Sequence, residues 1–228
     1  MAVSEVYNVD CLEYMRSLPD KYFDLCIADP PYGISYARGK NGWGVCENRP
    51  TLSDVKWDNS IPSQEVFNEI LRVSKNCIIW GGNYFTHLLP VSKCWIVWDK
   101  LDGTTNKSVF ADAELAWTNM QKVVRLFRLR QMGFISDTKD GKRIHPTQKP
   151  SELYAWLLDN YAKEGDKIFD PFLGSGSSRI AAYKKGFDFY ACELDKDYYD
   201  AQEERFRREA FGEIKTNDGK VVTNLSLF

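Results

Sequence analysis

Asp29, Pro30, Pro31 and Tyr32 form the stretch whose residue types are best suited to chemistry. They follow the apolar run Phe23–Ala28, and the two prolines, which donate no backbone hydrogen bond, predict that a strand ends there. In an open α/β sheet, the carboxyl ends of the strands face the crevice in which ligands bind. A carboxylate, the free carbonyl of Pro30 and an aromatic ring suit a planar ligand with an NH2 group, which would stack on the ring and donate its two protons. A proline-rich turn capped by a tyrosine would show the same four residues, so these residues alone leave both interpretations open.

Gly174 and Gly176 indicate a second site. They lie in a loop between a predicted strand, 167–169, and a predicted helix, 179–185, and Glu193 follows the next predicted strand. A glycine-rich turn lets a ligand approach the backbone, and an acid at the end of the following strand can bind both hydroxyls of a ribose. The pattern therefore predicts a nucleoside site.

Two residues argue against a dinucleotide in this second site. Arg179 stands where the third glycine of a dinucleotide motif would be. Asp170, just before the loop, would repel a pyrophosphate and attract a cationic amino group. The sequence favours a nucleoside that carries an amino acid rather than phosphates.

The elements before the first motif predict how it is positioned. A strand over 5–9, a helix over 11–18 and a strand over 22–28 form a strand-helix-strand unit. Parallel strands of such a unit end at the same edge of a sheet, so Asp10 and Asp29 are expected to line one crevice.

The middle of the chain predicts a sheet that is covered on both faces. Two continuous apolar runs, 77–80 and 94–98, are typical of buried strands, and an amphipathic helix is predicted after Pro62. The fold class is therefore α/β. We expect one domain over 1–228, with a loop or lid insertion at 33–60, a small basic region at 101–144 and a tail at 213–228 whose hairpin character the sequence leaves open.

Composition narrows the class of protein. Lysine and arginine number 30 against 32 acids, so a nucleic-acid surface, if present, must be local. Six cysteines without C-x-x-C spacing are expected to be reduced cytosolic thiols, and His87 and His145 lie near no cysteine pair, so no metal site is expected. No membrane span and no targeting segment is recognised, which predicts a cytoplasmic protein.

Basic residues cluster in two parts of the chain. We interpret them as a phosphate-contacting surface, although an edge strand protected by lysine and arginine would look the same. The residues are Arg38, Lys40 and Arg49 in the insertion, and Lys122, Arg125, Arg128, Arg130, Lys142 and Arg143 in the basic region.

Together the motifs resemble those of the DNA amino-methyltransferases that use S-adenosylmethionine. The resemblance rests on Asp29–Tyr32, on the stretch His145-Pro146-Thr147-Gln148-Lys149-Pro150, and on Asp170–Ser177, in the permuted order that puts the catalytic half first. It implies a Rossmann-like, seven-stranded and mostly parallel sheet with helices on both faces. It also implies double-stranded DNA as the partner, an extruded base and methyl transfer to an exocyclic amine, and it leaves open whether the chain forms a homodimer.

The resemblance also assigns roles to residues. Asp29, Pro30, Pro31 and Tyr32 match the catalytic motif, and aspartate at its first position favours adenine N6 over cytosine N4. Cytosine N4 remains the alternative substrate, and a non-catalytic nucleic-acid-binding relative is the alternative class of protein. The residues implied to bind the cofactor are Asp10, Cys11, Thr147, Lys149, Asp170, Phe172, Gly174, Ser175, Gly176 and Glu193.

Overall fold

The computed structural model describes residues 2–34, 58–101, 103, 111–132, 135–141, 143–215 and 221–223. The strands in these residues are β1 (Ser4–Tyr7), β2 (Phe23–Ala28), β3 (Ser74–Trp80), β4 (Trp95–Asp99), β5 (Ala113–Thr118), β6 (Arg125–Arg128), β7 (Gln131–Met132), β8 (Ile135–Ser136), β9 (Lys167–Asp170), β10 (Asp188–Cys192), β11 (Glu213–Lys215) and β12 (Val221–Thr223). The α-helices are α1 (Cys11–Arg16), α2 (Gln64–Val73), α3 (Ser151–Tyr161), α4 (Ser177–Lys185) and α5 (Lys196–Phe211).

One large sheet organises the molecule. Its strand order is β1-β10-β9-β2-β3-β5-β4-β6, and every strand runs in the same direction except β5, which is antiparallel to both β3 and β4. The predicted α/β class with a mostly parallel sheet is confirmed. The described residues place eight strands in this sheet rather than seven, since the basic region supplies β6 beside β4.

Helices cover both faces of the sheet, as the continuous apolar strands predict. On one face, Ile27 and Ile78 pack in a cluster with Leu157 of α3. On the other face, their neighbours Cys26 and Cys77 pack in a cluster with residues of α1 and α2. Because successive side chains of a strand point to opposite faces, both halves of each apolar run are buried.

Several predicted boundaries shift by one or two residues. Strand β1 starts at Ser4 and ends at Tyr7 rather than at residue 9, because Asn8 turns to donate to the backbone carbonyl of Glu193. Helix α4 begins at Ser177 rather than at residue 179, since the left-handed Gly176 (φ 76°) caps it. Helix α5, capped by the side chain of Asp195, was not predicted.

The structure describes parts of the predicted insertion, basic region and tail. Of the insertion 33–60, the two ends are described, and the backbone N–H of Gly33 donates to Asp58 Oδ1 at 2.9 Å. The region 101–144 supplies β5 to β8, with β7 and β8 forming a separate antiparallel pair. In the tail, β11 and β12 also pair in antiparallel fashion, which gives the hairpin arms that the sequence left open. Among the described residues, no helix is long and apolar enough to cross a membrane.

Gly81 connects strand β3 to the ring of Tyr32. Its backbone is left-handed, with φ 69°, and a Cβ atom at this position would lie 2.2 Å from a ring carbon of Tyr32. Gly165 has a similar φ of 83° but open space around it. A comparison of substitutions at the two glycines therefore distinguishes the cost of backbone strain from the cost of a steric overlap.

We predict that Gly81→Ala destabilises the fold more than Gly165→Ala. Both variants place a Cβ in a left-handed conformation, at about 1 kcal/mol. Only Gly81→Ala also forces the Tyr32 ring aside, which adds about 1–3 kcal/mol. Urea unfolding followed by circular dichroism measures both losses in the free energy of unfolding. Equal losses would show that Tyr32 moves away freely.

Candidate active site

Four acids gather at the carboxyl edge of the sheet. Asp10 follows β1, Glu193 follows β10, Asp170 ends β9 and Asp29 follows β2, and these four strands are consecutive neighbours. Neighbouring strands lie about 4.8 Å apart. The structure therefore brings together the acids of both predicted motifs in one row.

Asp29 lies in a dense group of polar contacts. Its Oδ1 atom accepts a hydrogen bond from the Tyr32 hydroxyl at 2.7 Å and lies 2.5 Å from the ammonium nitrogen of Lys149. Lys149 Nζ also donates to the Tyr32 hydroxyl oxygen at 3.1 Å. Lys149 is only 5% exposed, so its charge is compensated within the protein.

A second carboxylate, that of Glu114, faces Lys149. Its Oε2 atom is 3.3 Å from Lys149 Nζ, while its Oε1 atom accepts a hydrogen bond from Lys100 at 2.8 Å. Glu114 lies near the start of β5, and because β5 runs opposite to its neighbours, that start lies at the carboxyl edge of the other strands. Lys100 directly follows β4 at the same edge.

Burial and charge set the ionisation of this group. Burial raises the pKa of Asp29, and the neighbouring Lys149 ammonium opposes that rise. Burial alone would lower the pKa of Lys149, but Asp29 and Glu114 together raise it. Burial alone would raise the pKa of Glu114, yet Lys149 and Lys100 bring it down to about 2. Lys149 and Glu114 are therefore both charged at neutral pH.

Aromatic rings form a wall beside Asp29. The rings of Tyr32 and Tyr84 stack with centroids 5.0 Å apart and an interplanar angle of 16°. Tyr84 is exposed, whereas burial and Asp29 raise the pKa of Tyr32 far above its ordinary value. Tyr32 is thus a neutral phenol that donates its proton to Asp29.

Asp170 anchors the glycine-rich loop. Its Oδ1 atom accepts from the backbone N–H of Phe172 at 3.0 Å, and its Oδ2 atom accepts from the Ser178 hydroxyl at 2.5 Å. Burial raises the pKa of Asp170 to about 7, which these hydrogen bonds oppose only in part. The carboxyl is therefore about half ionised near neutral pH, and a cation beside it would complete its ionisation.

Glu193 holds the other side of the loop. Its two oxygens accept the backbone N–H groups of Gly174, at 2.7 Å, and of Asp195, at 2.9 Å. Each carboxylate oxygen retains a further lone pair for a hydroxyl donor. The acid thus positions the loop and can still accept from a ligand.

The remaining residues assigned to the cofactor lie at the start of α1 and in the stretch 145–150. Asp10 caps α1 by accepting from the backbone N–H of Leu12 at 2.8 Å, and burial raises the pKa of the Cys11 thiol to about 12. The hydroxyl of Thr147 lies 3.1 Å from His145 Nδ1. A Cβ on Gly174 would lie 3.8 Å from the His145 ring, so the stretch 145–150 reaches the loop. Burial lowers the pKa of His145 to about 4, which leaves the ring neutral.

Arg205 lies beneath the loop, with none of its surface exposed. This guanidinium donates to the carbonyl of Ser175 at 3.0 Å and to the hydroxyl of Ser177 at 2.8 Å. It also pairs with Asp140 at 3.2 Å, and Asp140 in turn accepts from the backbone N–H of Ser151. One side chain of α5 thus connects the loop, the basic region and α3.

The basic residues do not form the single row that the sequence predicts. Arg125 begins β6 and Lys122 precedes it, so both lie toward the amino edge of the sheet, whereas Arg128 ends the strand at the carboxyl edge and pairs with Asp99 at 3.3 Å. Alternation along the strand also puts Arg125 and Arg128 on opposite faces. The expectation that all of them line one side of the crevice is therefore wrong for Lys122 and Arg125.

The other predicted basic residues divide into two groups. Arg130 pairs with Asp137 at 3.0 Å, and Arg143 is exposed. Arg38, Lys40, Arg49 and Lys142 lie outside the described residues.

Sequence reasoning missed some residues of the site and placed one differently. Lys149 was assigned to the cofactor, yet its close contacts are with the Asp29 group. Glu114, Lys100 and Arg205 were not singled out. A charged residue at the start or end of an apolar strand would have pointed to Glu114 and Lys100, but no local pattern marks Arg205.

Known proteins are similar to this chain in sequence and in fold. The model of the N6/N4 DNA methylase family matches residues 89–204, just over half of the chain. The Type II methyltransferase M.HinfI of Haemophilus influenzae is 22% identical over 96% of this chain and 71% of its own length. The structure is similar to that of M1.HpyAVI in complex with SAM, at 21% identity and a TM-score of 0.55 over 88% of this chain and 98% of the other. It is also similar to the PvuII cytosine-N4-specific DNA methyltransferase, at 13% identity and a TM-score of 0.59 over 90% and 87%.

The family match agrees with the fold and with the arrangement of the motifs. The parallel sheet, the Asp29–Tyr32 stretch at the end of β2 and the glycine-rich loop after β9 follow the order expected from the resemblance. The family predicted from the motifs is confirmed: the chain belongs to the DNA methylases that modify the amino groups of adenine N6 or cytosine N4.

Proposed function

We propose that the protein transfers a methyl group from S-adenosylmethionine to adenine N6 of a base flipped out of double-stranded DNA. The observation that carries this proposal is the pairing of β2 with β9. These adjacent strands end in Asp29 and Asp170, so an amine-binding carboxylate and a glycine-rich loop lie side by side. A methyl donor in one half of the crevice and an amine in the other would meet between them.

The residues of the loop fit the methyl donor. S-adenosylmethionine supplies a methyl group on a sulfonium, which an amine nucleophile can take. Asp170, buried and about half ionised, suits the ammonium of its methionine part, and Glu193 suits the ribose hydroxyls. In this proposal the backbone around Phe172, Gly174, Ser175 and Gly176 would hold the methionine part, Asp10 and Cys11 would contact the adenine ring, and Thr147 would contact the methionine carboxylate.

At the target base, Asp29 and the Pro30 carbonyl would accept hydrogen bonds from the two N–H groups of the exocyclic amine. The lone pair of such an amine is delocalised into the ring, and these two hydrogen bonds favour a tetrahedral nitrogen with a free lone pair. The new N–C bond would form as the C–S bond of the sulfonium breaks, the neutral thioether would leave, and the methylated amine would lose one proton through Asp29 to solvent. Tyr32 holds the base by stacking. Pro31 prolongs the turn that fixes Asp29 relative to Tyr32.

Adenine is the favoured target because aspartate stands at the first position of the catalytic motif. Cytosine N4 is the alternative, and both bases present an NH2 group to the same acceptors. The methylated nucleoside itself distinguishes the two substrates.

The DNA surface is proposed at the carboxyl edge of β6. Arg128, Arg130 and Arg143 are the described basic residues assigned to it. Arg38, Lys40, Arg49 and Lys142, which the sequence also assigns to DNA, lie outside the described residues. Phosphate contacts of this kind position DNA without reading its sequence. This local surface offsets a net charge of −2.

Asp29→Asn is expected to lower the methylation rate by about 10²–10³-fold, because the amide no longer accepts the amine protons as a carboxylate does. The assay digests treated DNA to nucleosides and measures N6-methyldeoxyadenosine and N4-methyldeoxycytidine by mass spectrometry. Calorimetry with S-adenosylmethionine is the control, and its affinity should be retained. Wild-type turnover in this variant would remove Asp29 from the catalytic role. N4-methyldeoxycytidine as the product of the unaltered protein would show that cytosine rather than adenine is the substrate.

Binding of S-adenosylmethionine should strengthen as pH rises from 5.5 to 7.5. Asp170 has a pKa of about 7, so below that pH it is mostly protonated and must release a proton to pair with an ammonium. The affinity should therefore fall toward about tenfold for each pH unit below 7. Calorimetry in buffers of different ionisation enthalpy measures both the affinity and the released proton.

Two variants control this experiment. Asp170→Asn should bind weakly and lose the pH dependence, whereas Glu193→Gln should bind weakly and keep it. An Asp170→Asn protein with the wild-type pH dependence would assign the titrating group elsewhere.

Arg128→Gln should weaken DNA binding to all sequences about equally and reduce the salt slope by about one unit. Lys122→Gln is the matched control, because Lys122 precedes the same strand near the opposite edge of the sheet and donates to the carbonyl of Asn160 at 3.2 Å. Fluorescence anisotropy with a DNA duplex across a salt series measures both slopes. An effect of Lys122→Gln equal to that of Arg128→Gln would place the DNA surface elsewhere.

A further inference from the structure

Lys149 is one of four neighbouring charged side chains, two carboxylates (Asp29 and Glu114) and two ammonium groups (Lys149 and Lys100). Its Nζ atom lies 2.5 Å from Asp29 and 3.3 Å from Glu114, and Lys100 lies 2.8 Å from the other oxygen of Glu114. The four formal charges cancel. Such a group is more than a surface ion pair, since Lys149 and its carboxylate partners are at least partly removed from water.

The contacts to Asp29 fall on one of its two oxygens. Tyr32 donates to Oδ1, the closest approach of Lys149 is also to Oδ1, and among the described residues no hydrogen bond is made to Oδ2. The Asp29 side chain is 17% exposed, so it retains access to the crevice. The geometry thus fixes the orientation of the carboxylate and leaves one oxygen for the target amine.

The two charged neighbours act on Asp29 in opposite directions. Burial raises the pKa of Asp29, the positive charge and hydrogen bond of Lys149 lower it, and the negative charge of Glu114 raises it again. Without Lys149, Asp29 would hold a proton more readily, and the neutral carboxyl would be a weaker acceptor for the amine. Without Glu114, the positive charge of Lys149 would interact with Asp29 alone, which would lower the basicity of Asp29 and make it a poorer acceptor.

We propose that Lys149 and Glu114 are positioning residues for methyl transfer: Lys149 holds Asp29 ionised with Oδ2 directed at the target amine, and Glu114 balances the lysine charge so that the carboxylate stays basic. The catalytic meaning of this arrangement depends on the role of Asp29 in the proposed function. The arrangement differs from the cofactor role that the sequence suggests for Lys149, and the two roles make different predictions.

Other charged or titratable groups also face this site. Tyr32 is a neutral phenol, and the hydroxyl of Tyr154 in α3 is held neutral by burial. The carboxylates of Asp170 and Asp29 repel each other, so each disfavours the ionisation of the other. These three groups are retained in every variant below, so differences between variants report on Lys149 and Glu114.

The test compares Lys149→Met with Glu114→Gln. In Lys149→Met, the acid limb of the pH dependence of kcat/KM should move to higher pH, and the rate at neutral pH should fall about 10²-fold. In Glu114→Gln, the acid limb should move to lower pH and kcat on its plateau should fall. If the two residues had a purely structural role, both variants would lose activity, but their acid limbs would not move in opposite directions.

A direct titration of Asp29 gives a readout that does not depend on turnover. Protein labelled with ¹³C at the aspartate carboxyl carbons is titrated by NMR without cofactor or DNA, and the Asp29 resonance is assigned by its loss in Asp29→Asn. Lys149→Met should raise the midpoint and Glu114→Gln should lower it. Lys75→Met is the matched control. Lys75 pairs at 2.7 Å with Asp24, which lies near the start of β2, at the end of the strand opposite to Asp29. This variant should leave the Asp29 midpoint unchanged.

A further variant guards against misfolding. Lys149→Met/Glu114→Gln removes one charge of each sign, and circular dichroism checks its fold. Its Asp29 midpoint should lie between those of the two single variants. Midpoints that stay at the wild-type value in the two folded single variants would overturn the proposal.

The remaining outcomes separate the proposals. A Lys149→Met protein that loses affinity for S-adenosylmethionine while its Asp29 midpoint stays unchanged would assign Lys149 to the cofactor and overturn the inference. Retained methylation by Asp29→Asn would instead refute the catalytic role of Asp29, and with it the positioning role of Lys149 in methyl transfer. In that case the NMR midpoints would still show whether Lys149 and Glu114 control the charge of Asp29.

Discussion

The common direction of four neighbouring strands is the constraint on which the site depends. Because β1, β10, β9 and β2 run in parallel, the residues that follow them lie at one edge in the order Asp10, Glu193, Asp170 and Asp29. Residues nearly 200 positions apart in the chain become neighbours in this way. The helices on both faces keep the sheet dry, and they leave this edge as the place where polar side chains can meet a ligand.

The row of acids creates an electrostatic problem, since the partner is a polyanion. The structure solves it by giving each acid a local partner. Asp29 has Lys149, Asp170 has the Ser178 hydroxyl and a backbone N–H, and Glu193 has two backbone N–H groups. The negative charge is thereby compensated locally at this edge of the sheet, where the proposed function would bring an amine and an ammonium rather than phosphates to it.

The sequence predicted much of this fold because its local patterns are strong. Prolines after Ala28 define the end of β2, and the glycines after Asp170 define the loop into α4. The class of ligand also followed from local residues, since Asp170 and Glu193 flank that loop. Local patterns set strand ends well because proline and glycine act through their own backbone geometry.

Long-range contacts explain what the sequence did not predict. The meeting of Lys149 with Glu114 requires β5 to run antiparallel, which nothing in residues 113–118 specifies. The basic residues around β6 were grouped by their spacing in the sequence, but strand alternation and the length of the strand separate Arg125 from Arg128. Helix α5 is rich in charged residues and has a narrow buried face, so its hydrophobic pattern is weak.

Arg205 has a consequence for how such proteins diversify. Its guanidinium contacts both the carbonyl of Ser175 and the carboxylate of Asp140. It thus connects the glycine-rich loop, which carries the motif of the family, to the basic region 101–144, which does not. A segment transplanted from a relative into this chain would have to bring an acid to the position of Asp140, or it would leave a buried positive charge beneath the loop with Glu209 as its remaining ionic partner. Exchange of the 101–144 region by recombination would therefore be constrained at its carboxyl-terminal boundary by a buried ion pair that need not touch DNA.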